Sequence, residues 1–395
     1  MEGTVEMEKY GIVAIGYNRP DSMKRLLTAL ECAEYMGQNV TLVVSIDNCG
    51  NNLVEAVAKD MPWSHGEKII RTFPERQGLR NHILKCGSYM EDYDLKAVAV
   101  FEDDVVPSPV FFSYMTQCVS CYGDHEDVAG ISLYSHRTNV NAKLPFQPQL
   151  SRYDVFFMQF AQSWGQVWMR KQWKEFADWY ASEENDHVFA PGKLPAFVCG
   201  WPKTSWLKYH IKFCVEKNRY FVYPYCSYAT CFSEAGEHTG SASSRLQIPM
   251  QTQVVESLRL PEKVSDGVVY DAFFEYSNDS HVCYDLYGTK TDYSGKTGVL
   301  TAKKLPWKVI GSYALTLKPH EMNYLNGLQG DDLYLYEVPE NAPMVNDEDP
   351  SGIRAVNYYY NYFPAPKALL SMLREKLENK IAAISRKLQW KICGR

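Results

Sequence analysis

Three carboxylates stand in succession at Glu102, Asp103 and Asp104, directly after the apolar run Ala97 to Phe101. Side by side they repel one another unless positive charge lies among them. A divalent cation removes the conflict, since Mg2+ or Mn2+ takes one or two carboxylates and completes its shell with water and substrate phosphate oxygens. Such a cation can neutralise the charge that grows on a nucleoside diphosphate as the bond to it breaks. Acidic triplets are common in loops. The place of this one, at the end of an apolar strand, gives it weight.

Other groups fall at comparable places. Gly16-Tyr17-Asn18-Arg19-Pro20 follows the apolar run Tyr10 to Gly16, and Asp47-Asn48-Cys49-Gly50 follows Val40 to Ile46. A carboxylate at the second of these ends can accept an N–H from a nucleobase or bind a ribose hydroxyl. Arg71, Arg76, Arg80 and Asn81 surround the third run and its following helix, so a guanidinium can reach a diphosphate. Each also has an ordinary reading as turn chemistry or solvated charge. Cys118 and Cys121 form a C-x-x-C pair inside a helical run with no second pair at zinc-site spacing, which reads as packing.

The elements that must position these groups alternate. Runs at Tyr10 to Gly16, Val40 to Ile46, Lys68 to Phe73 and Ala97 to Phe101 read as strands buried on both faces. Between them lie helical patterns from Met23, near Leu53 to Ala58, and near Leu79 to Met90. Pro20 and Asp21 suit a helix's first turn, and Ser108-Pro109 offers an N-cap and first-turn proline for the helix after the triplet. This alternation predicts an α/β fold with a mostly parallel sheet covered by helices. In open sheets of this kind ligands bind beyond the carboxyl ends of the strands, where the triplet falls.

Later segments differ. Six of the nine Trp lie between Trp164 and Trp206, which fits a packed core or flat platforms for sugar rings. Beyond about Arg245 the chain is Tyr-rich, with strand-like pieces at Val282 to Tyr287 and Val309 to Leu317. In the tail, Leu370, Leu373, Leu377, Ile381, Ile384, Leu388 and Ile392 form one helical stripe among many Lys and Arg. A basic amphipathic helix suits a membrane surface, and the same spacing suits docking or a dimer seam. The net charge of −6 leaves no basic field for nucleic acid. Met1 to Lys9 lacks the basic-then-apolar pattern of a secretory leader, and no apolar run approaches the roughly 20 residues of a membrane span. With eleven scattered cysteines the expectation is a cytoplasmic chain with reduced thiols, peripheral on the inner face of the membrane if the tail binds lipid.

The ordered segments GIVAIGYNRPDSMKRLLTAL, VVSIDNCG, GLRNHILKCG, VAVFEDDVVPSPVFFSYM and QSWGQVWMRKQW resemble the successive motifs of GT-A-fold glycosyltransferases. The flavour is that of bacterial family-2-like enzymes and the N-acetylglucosaminyltransferase I group. The resemblance covers roughly the first 245 residues and implies a Rossmann-like catalytic domain over 1–245, while the later texture reads as an accessory α+β extension over 246–362 and the amphipathic helix over 363–395. It further implies Asp104 as direct metal ligand for Mn2+ or Mg2+, Asp103 near the ribose and sugar, and Glu102 in support. Asp47 would hold the base, and Tyr17, Asn18 and Arg19 would line the nucleoside pocket. Arg80 and Asn81 would face the diphosphate, Trp164 and Gly165 the acceptor, and His238 the metal or diphosphate. An inverting enzyme needs a general base. The Trp201 to Trp206 segment, which often supplies one in relatives, has no carboxylate here, leaving Glu234 and Asp178 as candidates. The expected activity is transfer from a nucleotide-sugar, UDP-linked, to a glycan or lipid-linked oligosaccharide. A nucleotidyltransferase and a catalytically silent carbohydrate-binding relative are the competing readings.

Overall fold

The computed structural model describes residues 8–182, 189, 192–232, 244, 246–345, 358, 370, 373–374 and 377. The first elements are β1 (Tyr10–Gly16), α1 (Pro20–Glu31), β2 (Val40–Ile46), α2 (Leu53–Asp60), β3 (Lys68–Thr72), α3 (Leu79–Gly87), α4 (Tyr89–Asp92) and β4 (Ala97–Glu102). Their strands pair in parallel in the order β3-β2-β1-β4, with Gly16 opposite Ile46 and Ile15 opposite Glu102. All four therefore end on one edge. The apolar runs split between two layers because alternate side chains face opposite sides. Ile12 and Ala14 join a core with α1 and α2, while Val13 and Ile15 join one with α3.

Pro20 opens α1 with Asp21 in its first turn, as expected, and Met23, Leu26, Leu27 and Leu30 are buried on the sheet. Three expectations are corrected. The helix over Leu79 to Met90 is broken at Ser88, whose amide and hydroxyl both donate to the carbonyl of Lys85 and tighten the turn. Strand β3 is an edge strand, with Arg71 and Thr72 exposed, so it is not buried on both faces. The helix after the triplet starts at Phe111, later than Ser108-Pro109 suggested, because a turn over Pro109 and Val110 follows strand β5 (Val105–Pro107) first. There the Ser108 hydroxyl accepts from the Val110 amide at 3.1 Å.

The chain continues through α5 (Phe111–Tyr122), β6 (Val128–Ser132), the short pair β7 (Thr138–Asn139) and β8 (Leu144–Pro145), β9 (Val155–Met158), β10 (Gln166–Met169), α6 (Arg170–Ser182), α7 (Ala196–Cys199), α8 (Leu207–Glu216), β11 (Tyr220–Pro224), β12 (Ala229–Cys231) and β13 (Val269–Tyr270). The completed sheet runs β13-β9-β11-β6-β10-β4-β1-β2-β3. Strand β10 is antiparallel to both β4 and β6, and β11 is parallel to β6, so β6 and β11 end on the same edge as β4. Strand β12 pairs with β5 beside the triplet. Because β13 lies past residue 245, part of the segment expected as an extension is built into the main sheet. Trp168, Trp173, Trp179 and Trp206 are buried, which makes most of the Trp-rich segment core.

A second sheet follows, ordered β14-β15-β17-β16, from β14 (Val282–Asp285), β15 (Gly298–Thr301), β16 (Val309–Tyr313) and β17 (Leu333–Glu337), with α9 (Met322–Leu325) before β17. Both expected strands start where predicted and end earlier. Cys118 is buried and Cys121 exposed, both free thiols. Among the described residues no helix is long and apolar enough to cross a membrane. The tail helix over 363–395 lies outside the described residues apart from Leu370, Leu373, Arg374 and Leu377.

Candidate active site

The carboxyl edge of β3-β2-β1-β4 collects the charged groups. From the end of β1, Arg19 reaches across to the triplet: its Nε donates to Asp103 Oδ2 at 3.2 Å and its terminal nitrogen to Asp103 Oδ1. The same terminal nitrogen lies 3.4 Å from Asp104 Oδ2. The positive charge that the triplet demands is thus supplied by the protein itself. Arg19, expected to line a nucleoside pocket, is the counter-ion of Asp103.

Glu102 behaves differently from its neighbours. Burial first, then the charges of Asp104 and Asp103, push its carboxyl up to about 8, against the pull of Arg19 and a hydrogen bond with Trp206. The proton is therefore held at Glu102 more tightly than at an ordinary glutamate, beside the Asp103–Arg19 pair. Trp206, only 3% exposed, belongs to the segment in which the resemblance sought a base, and its hydrogen bond with Glu102 was not legible from the sequence.

Asp47 is buried at the end of β2, and its carboxylate accepts from the backbone amides of Asn48 (2.8 Å), Gln77 (2.7 Å) and Gly78 (2.9 Å). It pins the loop between β3 and α3 to the sheet edge. Within that loop the Arg76 guanidinium lies 4.9 Å from the ring centre of Tyr17, joining the loop to the end of β1. Asn18, beside them, is exposed, as is Asn81, whose amide reaches back to the Gln77 carbonyl. Arg80 is turned toward the Trp201 to Trp206 loop, donating to Lys203 O at 2.7 Å and Tyr209 Oη at 3.2 Å.

The Ser163-Trp164-Gly165 turn sits at the same edge. With Gln166 opposite Val100, continuing the antiparallel register brings Trp164 level with Glu102. Gly165 has φ +90, and a Cβ there would stand 2.9 Å from Ala229 Cβ, so both backbone and packing require glycine. Buried Gln162 braces the turn: its amide nitrogen donates to Gly165 O at 2.6 Å and its oxygen accepts from the Trp164 amide. Trp164 packs edge-on against Tyr134 at 4.8 Å.

Asp178 is not brought to the triplet. It stands on the solvent face of α6, paired with Lys174 at 2.8 Å one turn back, while Trp173 and Phe176 take the inner face. Glu234 and His238 lie outside the described residues, although Phe232, the last described before them, donates its amide to Asp104 O at 2.8 Å. Ser45 and His82 share a 2.7 Å hydrogen bond in the manner of a nucleophile and base. Both are sealed in the core, and burial drives His82 down to about 4, so the pair is structural.

Among the described residues no group of three or more His, Cys, Asp or Glu side chains could hold a metal ion. Arg19 meets Asp103 through two contacts and Asp104 through one, so Asp104 is the less engaged of the two carboxylates.

No protein-family model and no curated protein matches this chain. Solved structures do show some likeness. S. aureus TarS 1-349 is similar at TM-score 0.37 and 9% identity, over 56% of this chain and 59% of that one. Its complex with UDP-GlcNAc gives 0.37 and 10%, over 60% and 61%. The mannosyltransferase PcManGT from Pyrobaculum calidifontis, in complex with GDP-Man and Mn2+, gives 0.30 and 12%, over 42% and 46%. The matched part spans less than two thirds of each of these chains.

Proposed function

We propose that this chain transfers a sugar from a nucleotide-sugar donor, UDP-linked, to a hydroxyl of a glycan or lipid-linked oligosaccharide. The observation that carries the reading is the Asp103–Asp104 pair at the end of β4, held by Arg19 beside the Trp164 turn. A diphosphate leaving group needs a cation, and a sugar needs a flat apolar face near it. A carboxylate to hold the first, Asp104, and an indole for the second, Trp164, stand on one edge. The resemblance of the ordered motifs to those of GT-A enzymes supports the same reading.

The donor set fits a Mg2+ or Mn2+ ion held by Asp104 and, for the rest, by substrate oxygens and water. When bound, such an ion would neutralise charge on the departing diphosphate. The chain's own contributions are Arg19, which fixes Asp103 and moderates the local negative charge, and the Asp47-anchored loop, which shapes the nucleoside side of the cleft. Tyr17 and Arg76 narrow the entrance. A lipid-linked acceptor at the cytoplasmic membrane face rests on the pattern of the tail, and flotation with anionic phospholipid vesicles tests it.

Calorimetric titration with a panel of nucleotide sugars, with and without Mn2+, tests base, sugar and metal together. The expected result is binding of one UDP-sugar, strengthened by Mn2+, with turnover falling at least ~100-fold in Asp104→Asn. Pyrophosphate release from a sugar phosphate and a nucleoside triphosphate would instead make the chain a nucleotidyltransferase. Undiminished metal dependence and turnover in Asp104→Asn would remove Asp104 from the role given to it.

A further inference from the structure

Strand β4 sends its side chains to two cores. Ala97, Ala99 and Phe101 lie in the one shared with α1, while Val98 and Val100 lie in the one shared with Ile83 of α3 and with Trp206. The same alternation carries Glu102 to the second side. There the Trp206 indole, which can only donate, gives its hydrogen bond to the Glu102 carboxyl. On the first side Arg19, just ahead of α1, holds Asp103. The end of the strand is thus gripped from both faces, immediately before Asp104.

Trp206 is itself held firmly. Its ring centre lies 6.1 Å from those of both Trp168 and His210. The loop leading to it has two fasteners. The Arg80 guanidinium donates to Lys203 O at 2.7 Å and to Tyr209 Oη at 3.2 Å. The Lys208 ammonium, buried at the start of α8, donates to Trp201 O at 2.8 Å and to Cys199 O at 3.4 Å. Arg80 stands two residues after Gly78, whose amide is bound by Asp47. A line of polar contacts therefore runs from the end of β2, through the start of α3 and the loop, to the end of β4. The loop Trp201 to Trp206 carries no carboxylate, so it offers no general base. What it can contribute is placement.

We propose that Trp206 is a positioning residue of the cation site: by fixing Glu102 opposite the Arg19–Asp103 contact, it sets the strand end so that Asp104 meets a divalent cation in one geometry. Arg80 serves the same end through the loop and does not touch the diphosphate. This rests on the transferase reading above, whose cation is the one being placed.

Two measurements on the full chain test it. The first uses no metal. Among the indole N–H resonances of the nine tryptophans, the one deleted by Trp206→Phe is expected to exchange slowly with water and to shift in Glu102→Leu. The second is the Mn2+ concentration that gives half-maximal binding of UDP, followed by calorimetry. Trp206→Phe keeps a ring against Trp168 and His210 and lacks the donor, so this midpoint rises at least ~10-fold. Arg80→Gln leaves the core intact and reads the same effect from the loop, with a smaller rise that Arg80→Lys partly reverses. In all three variants excess Mn2+ restores the parental UDP affinity, because the metal and not the nucleotide contact has been weakened.

A Trp206 resonance unmoved by Glu102→Leu overturns the proposal. So do parental Mn2+ midpoints in Trp206→Phe and Arg80→Gln, whatever happens to the unfolding midpoint, since a purely structural Trp206 would lower only the latter. A loss in Arg80→Gln that excess Mn2+ does not recover makes Arg80 a diphosphate ligand and overturns its share. UDP bound by neither parent nor variant would remove the nucleotide-sugar reading. In that case Mn2+ alone, read from the electron-spin resonance of the free ion, decides: the same order of midpoints upholds the placement, and equal midpoints overturn it.

Discussion

Arg19 and Asp103 are 84 positions apart in the chain and meet only because β1 and β4 are neighbours in the sheet. The acidic triplet was readable from sequence because an apolar strand ran into it. Its counter-ion was not, since Arg19 is as good a turn residue as it is a partner. With side chains 24% and 6% exposed, the pair is largely withdrawn from water, and removing the cation strands a buried carboxylate. Arg19→Leu is expected to destabilise the chain by about 2 kcal/mol in urea unfolding and to abolish donor binding. Arg19→Lys should recover part of the stability and little of the binding, because a point charge cannot reproduce the two-pronged contact. Equal stability of Arg19→Leu and the parent would show the pair to be ornamental. Glu321 gives a second test at this scale. An ordinary glutamate ionises near 4.5, whereas burial raises this one to about 7. Between those values the folded chain holds a proton that the unfolded chain has released, so stability falls as pH rises through the window. The full effect is about 3 kcal/mol. Glu321→Gln keeps an acceptor for the Tyr270 hydroxyl and cannot titrate, so the difference from the parent in unfolding free energy should grow from about pH 5 to about pH 8. A constant difference would remove Glu321 from the account.

The strands were legible because long apolar runs have few alternatives, and β1, β2 and β4 match their expected spans closely. What sequence could not give is the antiparallel insertion of β10 between β4 and β6, since Gln166–Met169 is a short run with no period of its own. That insertion decides the site, because it sets the Ser163-Trp164-Gly165 turn level with Glu102. The turn exists only if residue 165 takes a left-handed conformation and carries no Cβ toward Ala229. Gly165→Ala is therefore expected to cost about 2 to 3 kcal/mol, from backbone strain and the clash together. Since Gln162 holds both sides of the turn, the displaced Trp164 should also change its fluorescence relative to the parent. A folded variant with parental stability and emission would show that the turn has slack. The missed break at Ser88 has a similar origin: Leu79 to Met90 carries an unbroken helical pattern, and only the local competition of the Ser88 hydroxyl for Lys85 O ends it.

At the scale of the molecule, the question is how the small β14-β15-β17-β16 sheet stays on the body. Its own apolar clusters are few, with Tyr284, Leu286, Leu300, Ala302, Leu333 and Leu335 in the larger one. A sheet with so little core depends on docking. The links are polar and buried. Lys290 pairs with Asp271 of the segment after β13 at 2.5 Å, and its backbone amide donates to Asp285 at 3.0 Å. Asp285 in turn pairs with Lys303 at 3.0 Å, both side chains fully buried, and accepts from the Tyr293 hydroxyl at 2.6 Å. The Tyr287 amide donates to Glu275 and its hydroxyl to Pro145 O. Sequence offered no sign of this, because Asp and Lys near turns are ordinarily solvated. A buried pair adds little net stability over apolar replacements, yet breaking one from a single side leaves an uncompensated charge. Lys290→Met should therefore cost about 2 to 3 kcal/mol, felt at the junction rather than in the main sheet. Native-state hydrogen exchange reads the two places separately. Amides of β15 are expected to exchange faster in Lys290→Met while those of β4 keep parental protection, because losing the Asp271 contact lets the small sheet open without unfolding the body. If β4 and β15 lose protection together, the two sheets share one cooperative unit; if neither changes, the Asp271–Lys290 pair does not hold the junction.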